Sequence, residues 1–249
     1  MQRDKEIEKE QGKKIKEKVR FLLSHFNNQN YNYPRAIKTL KTEGNSIYIH
    51  NENEIINYFV DANFIDCKIN GYPTYDNNSY NKIYPNFIFI DLDLSLCKIC
   101  KYPERKLDYI LKETLKKMEK EINGCPTVIW TGDGYHIYQP IEIDNIVFNK
   151  IKSGNTISGN NFEKEFLNPF NKNNINFINE FLRFSIKYLI NNQKDFNYNS
   201  FSTDSCFTIA PESINSKKSI KVNIIQKWNG HRANANTILK EFLILNEKT

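Results

Sequence analysis

The sequence predicts an α+β fold in which an N-terminal α/β module, residues 1–84, packs against a βαββαβ module, residues 85–249. Two observations carry this prediction. Short apolar runs typical of buried strands alternate with stretches of helical periodicity, and turn-rich segments separate them. The chain has 249 residues, of which 39% are hydrophobic, so it has enough material for a sizeable core. We expect the two modules to form one unit.

The first module begins with a dense run of charges that leads into the stretch VRFLLSHF, which predicts a helix over residues 4–26 with one apolar stripe. The stretch NNQNYNYP ends this helix. Residues 34–69 alternate short strand-like and helix-like pieces, and residues 70–85 form a turn-rich loop. This pattern predicts a small α/β module.

The second module has a sharper pattern. FIFIDLDL, residues 87–94, predicts a strand, and the apolar spacing of residues 104–122 predicts a helix that stops at Asn123 and Gly124. PTVIW and YHIYQPI predict two strands joined by the tight turn TGDG. A polar loop, a helical stretch over residues 162–191 with a break at 168–169, and the strand SCFTIA complete the module.

This order of elements is that of the ferredoxin-like and RNA-recognition folds. Its usual sheet is antiparallel, with the first and third strands central and the fourth strand beside the first. In that arrangement the end of the first strand lies beside the starts of the third and fourth. We therefore expect four polar side chains to meet at one sheet edge: Asp91, Asp93, His136 and Asp204.

The pair Asp91 and Asp93 follows the most apolar strand of the chain. Side chains alternate along a strand, so both carboxylates point to one face, with Cα atoms about 7 Å apart. Two such carboxylates repel each other unless a cation lies between them, and oxygen ligands suit Mg²⁺ or Mn²⁺. Asp204 would add a third carboxylate, enough for a two-ion site of the kind used in phosphoryl transfer. The alternative is that the carboxylates simply end a strand.

Two further stretches offer groups that can bind phosphate. In TGDGYHIY the turn exposes backbone N–H groups around Gly134, and His136 follows on the face of the carboxylates. In IAPESINSK, hydroxyl, amide and ammonium donors come from Ser213, Asn215 and Lys217. The alternatives are an ordinary hairpin with a surface histidine and a solvated loop with a surface lysine.

Charge and cysteine content say less about the class of function than these stretches do. A net charge of +6 is compatible with a nucleic-acid partner, but AT-rich codons produce the same excess of Lys and Asn. Five cysteines include one C-x-x-C pair, Cys97 and Cys100, without the second pair that a structural zinc site usually needs, so we expect free thiols. With no apolar leader and no run that could cross a bilayer, we expect a soluble cytoplasmic protein without a membrane partner.

Taken in order, FIDLDLS, TGDGYHIY and TDSCFTIAPESINSK resemble the three motifs of the archaeo-eukaryotic primase superfamily, in the form found in plasmid and viral primase-polymerases. The resemblance covers about residues 84–220. It implies that Asp91, Asp93 and Asp204 bind two Mg²⁺ or Mn²⁺ ions. It also implies a nucleotide site formed by His136, Lys217, Ser213, Asn215 and Gly134. It implies a template site formed by Arg35 and Lys218.

The implied activity is that of a DNA primase or primer-extending polymerase, a nucleotidyltransferase with a two-metal carboxylate site. Its partners would be a single-stranded DNA template and primer, NTP or dNTP, and a helicase or another replication protein. The third motif departs from the family pattern: Thr208, Ile209 and Ala210 stand where an arginine is usual, and Glu212 replaces a glycine. The alternatives are a non-catalytic nucleic-acid-binding protein and a nucleotidyltransferase or nuclease that uses no template.

Overall fold

A computed structural model describes residues 2–26, 33–73, 85–93, 101–143, 173–190 and 202–246. It is an α+β fold with two main antiparallel sheets. The helices are α1 (Gln2–His25), α2 (Glu52–Asp61), α3 (Pro103–Ile122), α4 (Asn173–Leu189) and α5 (Asn236–Asn246). The strands are β1 (Arg35–Lys38), β2 (Ile47–Ile49), β3 (Lys68–Asn70), β4 (Phe87–Asp93), β5 (Thr127–Trp130), β6 (Gly134–Glu142), β7 (Phe207–Ile209), β8 (Ile214–Asn215), β9 (Ile220–Lys221), β10 (Asn223–Gln226) and β11 (Ala233–Asn234).

The first sheet has the strand order β2-β1-β3-β7, with all three pairs antiparallel. The second sheet has the order β10-β5-β6-β11, and β4 pairs with β6 on its other side. The pairing of β6 is antiparallel with β4 and β5 and parallel with β11. Strands β8 and β9 form a separate two-stranded ribbon.

The elements predicted around the first two motifs are confirmed. Strand β4 is buried along residues 87–90, and β5 and β6 form the expected hairpin. Helix α3 starts with proline at its first turn, where a missing N–H costs nothing. It ends as predicted: Asn123 adopts φ +52°, and the Gly124 N–H donates to the Met118 carbonyl at 3.0 Å.

Helix α1 carries the predicted apolar stripe, which is buried at Ile15, Val19 and Leu22. It does not pack only within the first module. The buried His25 side chain at its end lies 2.7 Å from the Thr127 hydroxyl, on strand β5 of the second sheet. The N-terminal helix therefore supports the sheet that carries the first two motifs.

The predicted place of the fourth strand is wrong. Strand β7, expected beside β4, instead pairs with β3, in the register of Lys68 with Ile209. The backbone around β7 extends this pairing, because the Gly71 N–H donates to the Cys206 carbonyl and the Ala210 N–H donates to the Cys67 carbonyl. Strand β1 pairs with only one edge of β3. Strand β7 pairs with the other edge.

Several predictions concern residues outside the described ranges. These are the Cys97–Cys100 pair, the polar loop before the fourth helix and the helix break at 168–169. Within the described ranges, Cys67, Cys125 and Cys206 are free thiols. No described helix is both long enough and apolar enough to cross a bilayer.

Candidate active site

A cleft of about 580 Å³ lies between the two sheets. This volume falls within the range of sites that hold small molecules. One wall comes from β4, the β5–β6 turn and β6. The other comes from β1, β3 and the segment that follows β8. We call these the acid wall and the lysine wall, defined by the residues Asp91, Asp93, Asp133 and His136, and by Lys38, Lys68 and Lys217.

The register of β4 against β6 builds the acid wall. Asp91 lies opposite His136, and Asp93 lies opposite Gly134. Asp91 and Asp93 are partly buried and both line the cleft, as the two-residue spacing predicts. The Asp91 carboxylate is 3.5 Å from His136 Nε2, and their side chains are 18% and 15% exposed. The first two motifs therefore meet through one continuous pair of strands.

His136 is held from behind by aromatic side chains. Its Nδ1 is 3.0 Å from the Tyr138 hydroxyl, and its ring packs edge-on against Phe89 at 5.1 Å between centroids. Burial lowers the pKa of His136, the Asp91 charge opposes that shift, and the Lys68 charge across the cleft adds to it. With a pKa below its usual value, the imidazole is neutral at neutral pH and serves as a hydrogen-bonding group.

The turn between β5 and β6 has a steric reason for its glycines. Gly132 adopts φ +102°, which disfavours any side chain. A Cβ at Gly134 would lie 2.2 Å from the Leu92 carbonyl oxygen, so only glycine permits the close approach of β6 to β4 at the end that lines the cleft. The Thr131 hydroxyl bridges the turn, 3.0 Å from the Asp133 carboxylate and 3.1 Å from the Gly134 carbonyl.

The segment after β8 joins the two sheets. The Asn215 side-chain amide donates to the Thr131 carbonyl at 2.9 Å, on the second sheet. The next residue, Ser216, bonds through its backbone N–H and its hydroxyl to the Asp66 carboxylate, just before β3. The Lys217 N–H donates to the Asn215 side chain at 3.1 Å. Lys217 therefore follows a segment that is fixed to both walls.

Three residues predicted in the site do not line the cleft. Asp204 is exposed in the turn before β7, where its backbone carbonyl accepts from the Asn70 amide at 3.2 Å. Ser213, predicted to bind nucleotide, is 2% exposed. Its hydroxyl donates to the Ala210 carbonyl at 2.6 Å and so closes a turn instead of lining the cleft. Gly134 is close to the cleft but acts through strand packing.

The two predicted template contacts differ in exposure. Arg35 is completely buried and donates to the Asn70 and Gly71 carbonyls at 3.1 and 2.7 Å. Its guanidinium is therefore structural and inaccessible to a template, which corrects the prediction. Lys218 is exposed on the turn between β8 and β9, so its side chain is accessible.

Glu212 occupies a backbone position that favours glycine. It adopts φ +72°, the left-handed region in which glycine is favoured and a larger residue is strained. Its carboxylate forms an ion pair with Lys221. Glu212 therefore pairs with Lys221, and Lys217 lines the cleft.

Sequence reasoning missed Lys38, Lys68 and Asp133. Asp133 stands inside TGDGYHIY, but nothing in the motif distinguishes it from an ordinary turn aspartate. The two lysines lie on strands β1 and β3, in the part of the chain where no motif was recognised. Their nearness to the acids follows from the packing of the two sheets, which carries no local sequence signal.

The donor set bears on which metal could bind. The described residues contain no cluster of three or more histidine, cysteine, aspartate or glutamate side chains arranged around one ion position. Mg²⁺ does not require such a cluster, since it is commonly held by one or two carboxylates together with water and substrate phosphates. The pair Asp91 and Asp93 fits that mode of binding.

Searches against protein-family models and curated proteins find no match to this chain. The resemblance to primase-polymerases therefore rests on the three short motifs.

Proposed function

We propose that this protein is a template-directed nucleotidyltransferase, a DNA primase or primer-extending polymerase. In the proposed reaction a 3′-hydroxyl attacks the α-phosphate of a bound nucleotide and pyrophosphate leaves. The observation that carries the proposal is the pairing of Asp91 with His136 across β4 and β6, on one wall of a cleft whose opposite wall carries three lysines beside Glu43 and Asp66. Carboxylates facing ammonium groups suit a substrate that is bound through metal at one end and through phosphate charge at the other.

Each wall has a role in this proposal. Asp91 and Asp93 would hold Mg²⁺ or Mn²⁺, which would supply positive charge to the α-phosphate as charge develops there. The neutral His136 would donate from Nε2 to a phosphate oxygen, because Nδ1 already contacts Tyr138. Lys217, fixed through Asn215, would bind the phosphates as a point charge. Lys218, exposed beside the cleft, is suited to the template backbone.

A second function, nucleic-acid binding without catalysis, is favoured by one observation. Asp204, the third acid of the motif set, is exposed and does not line the cleft. In the catalytic proposal Asp133, which does line the cleft, is the additional acid near the pair. A protein that only bound nucleic acid would gain nothing from these carboxylates, since they repel phosphate.

The test is extension of a labelled primer on a single-stranded DNA template, beside the same template without primer. Each reaction contains NTP or dNTP with Mg²⁺ or Mn²⁺. Incorporation in any of these reactions supports the catalytic proposal, and product from the unprimed template assigns priming. Template binding without incorporation under every condition rejects catalysis and supports the binding function. A terminal addition that ignores template sequence would reject template direction.

A further inference from the structure

We propose that Lys38 and Lys68 bind the triphosphate of the incoming nucleotide, so that the cleft selects nucleoside triphosphates over monophosphates. This inference rests on the nucleotidyl-transfer function proposed above and adds two residues to its substrate site. Both lysines come from the first sheet, which carries none of the three motifs apart from β7.

The register of the first sheet brings the two lysines together. Lys38 lies directly opposite Lys68 across the antiparallel pair β1–β3. Side chains opposite each other in such a pair have Cβ atoms about 5 Å apart, and like charges in this position destabilise the sheet. Within the described ranges neither ammonium group forms an ion pair with a carboxylate. An anionic ligand between them would offset this repulsion.

Both lysine side chains are partly buried and line the cleft. The Lys38 ammonium lies 4.6 Å from the centre of the Phe207 ring, a cation–π contact that restrains the side chain. Lys68 and His136 line the cleft from its two opposite walls. Lys68 also pairs with Ile209, within the three positions where the third motif lacks its usual arginine.

The arrangement of charges in the cleft also favours a triphosphate. Lys38, Lys68 and Lys217 place three positive charges on one side of the cleft, beside the carboxylates of Glu43 and Asp66, which line the same side. A phosphodiester backbone carries one charge per nucleotide, so only one phosphate would lie between the two opposed lysines. A triphosphate concentrates several charges within a few ångströms. Its chemistry therefore matches the lysine wall better than that of a nucleic-acid strand.

The experiment uses the full chain and the single variants Lys38→Met and Lys68→Met, which keep the aliphatic stem and remove the charge. Affinity is measured by calorimetry for a nucleoside triphosphate with a non-hydrolysable α,β-linkage and for the corresponding monophosphate. Each variant should lose about 10-fold in triphosphate affinity, the loss expected for one charged hydrogen bond, while monophosphate affinity stays unchanged. Lys41→Met, an exposed lysine outside the cleft, is the matched control and should behave as the wild type.

The variants Lys38→Arg and Lys68→Arg keep the charge and should retain most of the triphosphate affinity, which separates a charge effect from a folding defect. Unchanged triphosphate affinity in both Met variants, with primer extension intact, would overturn this inference and leave the proposed function standing. A raised KM for template and primer with an unchanged nucleotide KM would also overturn it, by assigning the lysines to DNA. A wild-type protein that neither binds triphosphate nor incorporates nucleotide would reject both proposals.

Discussion

The two walls of the cleft are built in different ways. The acid wall rests on one strand pair, β4 with β6, whose seven residue pairs run from Phe87 with Pro140 to Asp93 with Gly134. The lysine wall is assembled from two short strands of the first sheet and the segment after β8, which lie far apart in the sequence. A continuous hydrogen-bond ladder fixes the first wall, whereas side-chain bonds of Asn215 and Ser216 fix part of the second.

Site residues that lie on one strand pair can therefore be inferred from a sequence motif. Site residues that are brought together only by the packing of two sheets cannot. The difference between the walls also predicts how each wall should respond to substitution. Changes in the acid wall should alter catalysis or folding strongly. Changes in the lysine wall should alter substrate affinity by smaller amounts.

The largest effect is expected from the double substitution Asp91→Asn and Asp93→Asn. It keeps the size of both side chains and removes two negative charges, so incorporation should fall by about 10³-fold or more because metal-assisted charge stabilisation is lost. Thermal stability should hold or rise, since repulsion between the acids is relieved. Primer extension and thermal unfolding measure the two effects. Extension at the wild-type rate would show that these aspartates do not form the catalytic site.

The next effect concerns the support behind the acid wall. Burial lowers the pKa of His25 to about 4, so the folded state holds the imidazole neutral while the unfolded chain binds a proton near pH 6.5. The free energy of unfolding therefore has its full value above about pH 6.5. It decreases by up to about 3 kcal/mol as the pH falls toward 4, because the unfolded chain then binds a proton at His25 and the folded state does not. Denaturant titrations across this range measure it.

The control for this prediction is His25→Gln, which cannot titrate there. Its stability should be lower at neutral pH but should change less between pH 6.5 and 4 than that of the wild type. Equal slopes for the two proteins would assign the acid sensitivity to other groups.

A steric change should disturb the acid wall without removing any charge. In Gly134→Ala the new methyl group would meet the Leu92 carbonyl, and the crowding should cost about 2 kcal/mol of unfolding free energy and reduce incorporation. Gly12→Ala is the matched control, because nothing lies within 4 Å of a Cβ at that helical position. The control should be neutral or slightly stabilising. Equal stability of both variants would contradict the close approach of β4 and β6.

The smallest effect is expected at the lysine wall in Asp66→Asn. Asparagine tolerates the φ of +52° at this position and can still accept from the Ser216 N–H at its oxygen. Its amide nitrogen cannot accept from the Ser216 hydroxyl as the second carboxylate oxygen does, so the substitution removes one charge-assisted bond. We expect a loss of about 1 kcal/mol in stability and a few-fold rise in nucleotide KM at nearly constant kcat. A fall in kcat at constant KM would instead place Asp66 among the groups that act on the transition state.

The sequence predicts the acid wall well because its information is local. Helical spacing gives α3, the turn TGDG gives the β5–β6 hairpin, and strand alternation places Asp91 and Asp93 on one face. The position of β7 was not predictable in this way, since a three-residue strand has little pattern of its own and pairs wherever an open edge lies. The burial of Arg35 and the cleft positions of Lys38 and Lys68 depend on the same sheet packing.

The bonds of Asn215 and Ser216 have a mechanical consequence. Two consecutive residues bond to opposite sides of the cleft. The length of one dipeptide with its two side chains therefore sets the distance between those sides. Moving the sides apart would break a bond at one end or the other. The width of the cleft is therefore fixed at this point, and it limits the size of the ligand that can enter.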